Sequence, residues 1–177
     1  MTAAEFSYAI DGRDRLVEAS EGYFEFAAAN DWPGAETSVG EPLWDFVAGT
    51  TMRRAQRSLV RRVREDRRVI VLPFRCDSPD VRREMMIRIE PEPPAGVRFT
   101  AWIVAERRRT PQALLDPGVP RGTATIEMCG WCNRFYAERE WVEVEEAARR
   151  LDLTAASEMP RIRHGICAQC DAMLIGA

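Results

Sequence analysis

The sequence predicts an α+β chain of two unequal units: an antiparallel sheet with helices on one face, then a small module that contains one helix and is stapled through cysteine. Three observations predict it. Two stretches of period-two apolar alternation, near residues 6–19 and 70–104, flank a middle of helical periodicity. Residues 110–127 hold three prolines and two glycines with no sustained period. Beyond them, four of the five cysteines fall in two Cys-x2-Cys pairs. The expected layout is a sheet unit at 1–109, a linker at 110–127 and a cysteine module at 128–177.

Each element follows from its residues. Phe6, Tyr8 and Ile10 alternate with polar or small residues, Asp11-Gly12 signals a turn, and "RLVEAS" supplies the second arm of a hairpin. "EGYFEFAAAN" reads as a short helix, "DWPGAETSVG" as a loop, and "EPLWDFVAG" as a further helical turn or two. Over residues 51–68, Met52, Ala55, Leu59, Val60 and Val63 recur at helical spacing among arginines, which makes an amphipathic helix. Three strands follow. Ile70, Leu72, Phe74 and Cys76 share one face of the first, and Met85, Ile87 and Ile89 one face of the second. The third has Val97, Phe99, Ala101 and Ile103 on one side and Trp102 and Val104 on the other. In the tail, "EREWVEVEEAARRL" reads as an amphipathic helix bearing Trp141, Val144, Ala147 or Ala148, and Leu151.

Composition narrows the function classes. With 177 residues, 46% hydrophobic and 30% charged, the chain has room for one ordinary core plus an appendage. No apolar run approaches the roughly 20 residues that span a bilayer. The start, "MTAAEFSYAIDGRD", has neither a basic nor an apolar leader region, so a cytoplasmic location is expected. In that reducing compartment cysteines serve as metal ligands, catalytic thiols or small buried hydrophobes. The net charge of −3 offers no general attraction to nucleic acid. The arginines of residues 53–68 share their helix with Glu65 and Asp66 and no interleaved aromatics, the pattern of a solvated face.

Two strands, several short helices and a three-stranded antiparallel meander is the chain order of a PAS domain. "LVEAS" with "EGYFEFAAAN" resembles the second strand and first helix of that family. "GEPLWDF" and "RVIVLPFRCDSPDVRREMMIRIEP" resemble strings of its bacterial members. The resemblance spans about residues 5–107 and implies a PAS-type sensor sheet that binds a small ligand or a partner. The ligand itself is unknown. The only histidine, His164, lies outside this region, which disfavours histidine-ligated haem. Cys76 ends a strand instead of sitting in a mid-domain helix, which disfavours a photoactive flavin; it reads as a buried core thiol.

The cysteine module is the sharper signal. Cys129-x2-Cys132 and Cys167-x2-Cys170 are separated by thirty-four residues. Each pair can aim two thiolates at one point, and two pairs complete a tetrahedron around zinc with Zn–S near 2.3 Å. About fifty residues anchored by Trp131, Phe135, Tyr136, Trp141, Leu151 and Ile166 form a core too small to stand alone. A structural Zn²⁺ supplies on the order of 10–16 kcal/mol in small fingers. Arg134, Arg161 and Arg163 stand near the pairs as candidate counter-charges. His164, three residues before Cys167, is a candidate ligand in place of one cysteine, a donor to a thiolate, or an ordinary turn histidine. "MCGWCNR" with "HGICAQC" resembles a cysteine module at the C-terminus of bacterial sensor proteins, which implies metal binding.

Two rival readings remain. "CGWC" fits the dithiol of a thioredoxin-like oxidoreductase, although that site needs a helix start after a buried strand and leaves the second pair unexplained. "VEEAARRLDLTAASEMPRI" resembles the start of a DNA-binding helix-turn-helix, but Pro160 interrupts its second helix. The chain shows no phosphate-binding glycine loop and no kinase signature. The expectation is a non-enzymatic cytoplasmic sensor or adaptor acting through a protein partner or a homodimer, with Trp102 and Val104 on the apolar outer sheet face that needs a cover.

Overall fold

The chain is described from a computed structural model, which covers residues 5–30, 32 and 34–177. The start of the sequence and part of the expected "DWPGAETSVG" loop lie outside the described residues. The hairpin forms β1 (Glu5–Ile10) and β2 (Leu16–Ala19). Its turn is fixed by the Asp11 carboxylate, which accepts the N–H groups of Arg13 and Arg15 at 2.8 and 2.9 Å. The hydroxyl of Ser20 caps α1 (Glu21–Ala28) by accepting the Tyr23 N–H. A 3-10 turn (Leu43–Asp45) leads to α2 (Thr50–Asp66), which buries Met52, Leu59, Val60 and Val63, one stripe of the wheel.

The meander is β3 (Ile70–Arg75), β4 (Val81–Glu92) and β5 (Gly96–Arg108). Strand β1 inserts beside β5, giving one antiparallel sheet in the order β2-β1-β5-β4-β3. Tyr8 lies opposite Phe99, and the two rings stack at 4.7 Å on the inner face. Helix α2 covers that face against Ile87, Ile89, Val97 and Phe99. Several of its arginines serve the fold, while Arg54 and Arg61 are exposed. Arg57 lies over the Trp44 ring, and Arg64 bonds the Asp11 and Ala95 carbonyls and pairs with Asp14. Among the described residues, no helix is long and apolar enough to cross a membrane.

The second half departs from expectation in three places. The segment 110–127 is not an unstructured linker, because it holds a 3-10 turn (Ala113–Leu115) and most of β6 (Arg121–Cys129). Residues 121–125 are mostly exposed and carry no apolar period; they form a strand through hydrogen bonds to β9 (Met159–Gly165), a parallel partner far along the chain. The expected helix over "EREWVEVEEAARRL" is shorter. Glu138 and Arg139 adopt positive φ in a tight turn between β7 (Phe135–Ala137) and β8 (Glu140–Val142), so α3 is only Val144–Arg150. Trp141 is a strand residue packed on Tyr136. The second cysteine pair opens a further helix, α4 (Ala168–Gly176), in a module expected to hold one helix. The tail sheet is mixed, in the order β8-β7-β6-β9.

Two hydrophobic clusters result. The smaller joins Ile126, Met128, Phe135, Val144, Ala147 and Met159 with Leu114 of the connecting segment. The larger runs from the front sheet through α2 into Cys129, Trp131, Cys167, Cys170 and Leu174, so the tail shares the front core. Of the expected anchors, Phe135 and Trp131 are buried, whereas Tyr136 and Leu151 are exposed. Arg62 of α2 fastens the seam by donating to the carbonyls of Leu174, Ile175 and Ala177, the unsatisfied end of α4. Arg62→Ala is expected to cost roughly 1–3 kcal/mol, since it strips a charged donor from a helix terminus. Hydrogen exchange should show α4 opening first; unchanged protection of α4 would refute the clamp.

Candidate metal centre

The first cysteine pair sits in a knuckle between β6 and β7. Cys129 ends β6, its N–H donating to the Arg134 carbonyl at 2.8 Å. Asn133 takes a left-handed φ of 58° that brings its N–H to the Cys129 carbonyl at 2.9 Å. The second pair opens α4. Cys167 is its N-cap, and its Sγ accepts the Cys170 N–H at 3.4 Å. The parallel ladder of β6 and β9 joins the two, placing Cys129 opposite Gly165 and Gly130 N–H on the Gly165 carbonyl at 3.0 Å. The Cys167 N–H then points at Cys129 Sγ, at 3.4 Å.

All four sulfurs lie within 4.8 Å of one another, with Cys132 and Cys167 at 3.8 Å, and none is in a disulfide. A tetrahedron of metal–sulfur bonds near 2.3 Å has edges of about 3.8 Å, so the cluster has the dimensions of a closed four-thiolate site that could hold a metal ion. Arg134 donates through Nε to Cys132 Sγ at 3.3 Å and through Nη2 to Cys167 Sγ at 3.7 Å. Gln169 Oε1 holds the same guanidinium at 2.7 Å. Hydrogen bonds from the Cys129 and Cys170 sulfurs, with Arg134 adding to them, drive the Cys132 thiol far below its ordinary value. Cys129 is pushed up mainly by its hydrogen bond to Cys132, against which its bond to Cys170 acts, whereas Cys170 is pushed up by its bonds to Cys129 and Cys132. A bound cation would relieve this by replacing shared protons with metal–sulfur bonds.

Of the three arginines expected near the thiolates, only Arg134 is there. Arg161 and Arg163 are exposed along β9, and neither hydrogen-bonds a cysteine. His164 is not among the four clustered groups and donates to no sulfur. On β9 it lies opposite Met128 of β6 and lines a polar cleft with Thr50, Thr51, Glu127 and Tyr136, where burial lowers its pKa. Its backbone is why Gly49 starts α2. At φ 83° a Cβ there would stand 2.2 Å from the His164 carbonyl oxygen. Cys76 also lies outside the cluster, half-buried at the end of β3, and burial raises its pKa.

The knuckle is docked on the front sheet. Strand β3 is a sheet edge, and Pro73 in it offers only a carbonyl, which accepts the Trp131 indole N–H at 2.7 Å. Arg75 N–H donates to the Trp131 carbonyl at 2.9 Å. The Asn133 side-chain amide fits between Arg75 O and Asp77 N at 3.1 Å each. Beside it, the buried Asp77 pairs with Arg75 and with Arg109 at 3.2 Å, and Arg75 reaches Glu143 of the tail at 2.7 Å. Sequence reasoning missed Asn133 and Gln169, whose roles depend on partners that no local motif announces.

No family model matches the chain, and no curated protein does. Because every sulfur closes the same site, Cys→Ser at any of the four positions is expected to lose bound metal and loosen the tail to the same degree. Metal content and tail hydrogen exchange check this. Unequal effects, with the Cys129 and Cys132 variants folded and the Cys167 and Cys170 variants unaffected, would point to a dithiol site instead.

Proposed function

We propose that the chain is a non-catalytic cytoplasmic sensor or adaptor. In this reading a PAS-like front unit meets a small ligand or a partner, and a structural zinc module clamps one edge of its sheet. The observation that carries the reading is the contact of the knuckle with β3: Trp131 and Asn133 hydrogen-bond the open edge while their flanking cysteines complete the four-sulfur cluster. Strain or ordering in the sheet and occupancy of the metal site are thereby coupled through a few residues.

The front unit supports the PAS-like assignment by its order, two strands, helices and then a three-stranded meander, with helix α2 over the inner face. Zinc is favoured because four thiolates in a closed tetrahedron leave no open position for chemistry and suit a d¹⁰ cation without geometric preference. Zn²⁺ would supply a rigid cross-link held by Cys129, Cys132, Cys167 and Cys170. The rival readings lose their geometry. The would-be recognition helix of a helix-turn-helix is a 3-10 turn (Leu153–Ala155) followed by β9. The CGWC pair lies in a strand-to-strand knuckle and does not itself open a helix, as the dithiol of a thioredoxin-like site does.

Output would pass through the outer face of the sheet, to a protein partner or a second copy; Val104 is 59% exposed there and Trp102 is half-buried. Free thiols fit a reducing cytoplasm. Protein purified without added metal should carry one zinc per chain. Stripping it with a chelator should raise hydrogen exchange in β3 as well as in residues 128–177. A metal-free protein, or an exchange gain confined to the tail, would overturn the proposal.

A further inference from the structure

The four sulfurs are not equally placed. Cys129, Cys167 and Cys170 are 0%, 2% and 5% exposed, whereas Cys132 is only half-buried. It opens on a groove of about 340 Å³ that the knuckle forms with the outer face of the front sheet. Met86, Val104, Trp131 and Met173 make this groove largely apolar, and Arg134 stands at its wall with its guanidinium against Cys132. Its volume falls within the range of small-molecule sites, and its composition suits a compact apolar group.

We propose that Cys132 is a modification site for organic hydroperoxides, with Cys167 as the resolving thiolate; the proposal rests on the metal-site reading above. The chemistry balances within the cluster. The Cys132 sulfur attacks the distal oxygen of ROOH, the O–O bond breaks, and Cys132 becomes a sulfenic acid as RO⁻ leaves. Arg134 is positioned to stabilise the charge on that departing oxygen. The Cys167 thiolate, 3.8 Å away, then attacks the sulfenic sulfur, forming the disulfide and releasing hydroxide. Two thiolates are oxidised by two electrons and one peroxide is reduced. Cys129 and Cys170 alone would hold a cation far less tightly than four thiolates, so the disulfide would release an ion bound there. The knuckle carrying Trp131 then loosens from Pro73 and Arg75, and the edge of β3 is exposed.

The choice of peroxide follows from the groove. An apolar substituent on the hydroperoxide gains contact with Met86 and Val104, which hydrogen peroxide cannot. The choice of partner sulfur follows from topology. Cys129 and Cys132 share one knuckle, whereas Cys132 and Cys167 come from opposite halves of the site, so their disulfide dismantles both pairs at once.

The test uses the full-length protein, with metal content measured before any oxidant is added. A metal-free chain would overturn the metal reading by itself. Zinc-loaded protein is then treated with substoichiometric cumene hydroperoxide or hydrogen peroxide while released zinc is followed with a chromogenic chelator and disulfides are mapped by peptide mass spectrometry. The expected result is a dominant Cys132–Cys167 disulfide, one zinc released per disulfide, and faster release with the organic hydroperoxide. Met86→Gln and Val104→Asp should slow the organic reaction about tenfold while leaving the hydrogen peroxide rate and the zinc content unchanged. Disulfides scattered over the four cysteines, equal rates with the two peroxides, or groove variants indistinguishable from the parent would each overturn the assignment.

Discussion

Four thiols held within 4.8 Å repel one another as they ionise, and the C-terminal half of the chain is organised around keeping them there. The parallel ladder of β6 and β9 sets the distance between the two pairs, the left-handed Asn133 folds the knuckle, and the first turn of α4 supplies peptide N–H groups at the sulfurs. Among the described residues, Arg134 is the one full positive charge in hydrogen-bond contact with the cluster. A cation would complete this arrangement by converting mutual repulsion into four bonds to one centre, worth on the order of 10–16 kcal/mol in small zinc domains.

The cluster is not confined to the tail. The cysteines, Trp131 and Leu174 belong to the same hydrophobic cluster as α2 and the front sheet, and Arg62 ties the end of α4 back to α2. Gly130 lies against Met52, and Gly49 makes room for the backbone of β9. The exposed edge of β3, a liability in any sheet, is covered by the knuckle through the Trp131 indole and the Asn133 amide. The four-cysteine cluster and the sheet edge are therefore joined through the knuckle, which gives the proposed sensor a physical route between its two ends.

Legibility in the sequence tracked how local each signal was. The front strands were readable because Ile70, Leu72, Met85, Ile87, Ile89 and Phe99 alternate, and burial on one face dictates that period. Helix α2 was readable from its apolar stripe, and its boundaries moved by only a residue or two. The four cysteines were readable because chelation by a Cys-x2-Cys turn is itself local. By contrast, β6 looked like linker: its first residues are exposed and irregular, and only the distant β9 makes them a strand. Trp141 fitted a helical stripe equally well, until the turn at Glu138 and Arg139 made it a cross-strand neighbour of Tyr136. His164 was ambiguous for the same reason, since its distance from Cys167 along the chain does not say which way a strand residue faces.

By itself the sequence determined the class of the fold, the order of the front elements and the identity of the four clustered cysteines, because periodicity and pair spacing express forces that act within a few residues. Only the tertiary structure decided that the tail shares the front core, that Arg134 rather than Arg161 or Arg163 faces the thiolates, and that Cys132, the least buried of the four, lines a groove. Those outcomes join residues such as Trp131 and Pro73, 58 positions apart, whose meeting depends on how two sheets and two helices pack together. Packing of that kind is a property of the assembled core and is carried by no single segment of the chain.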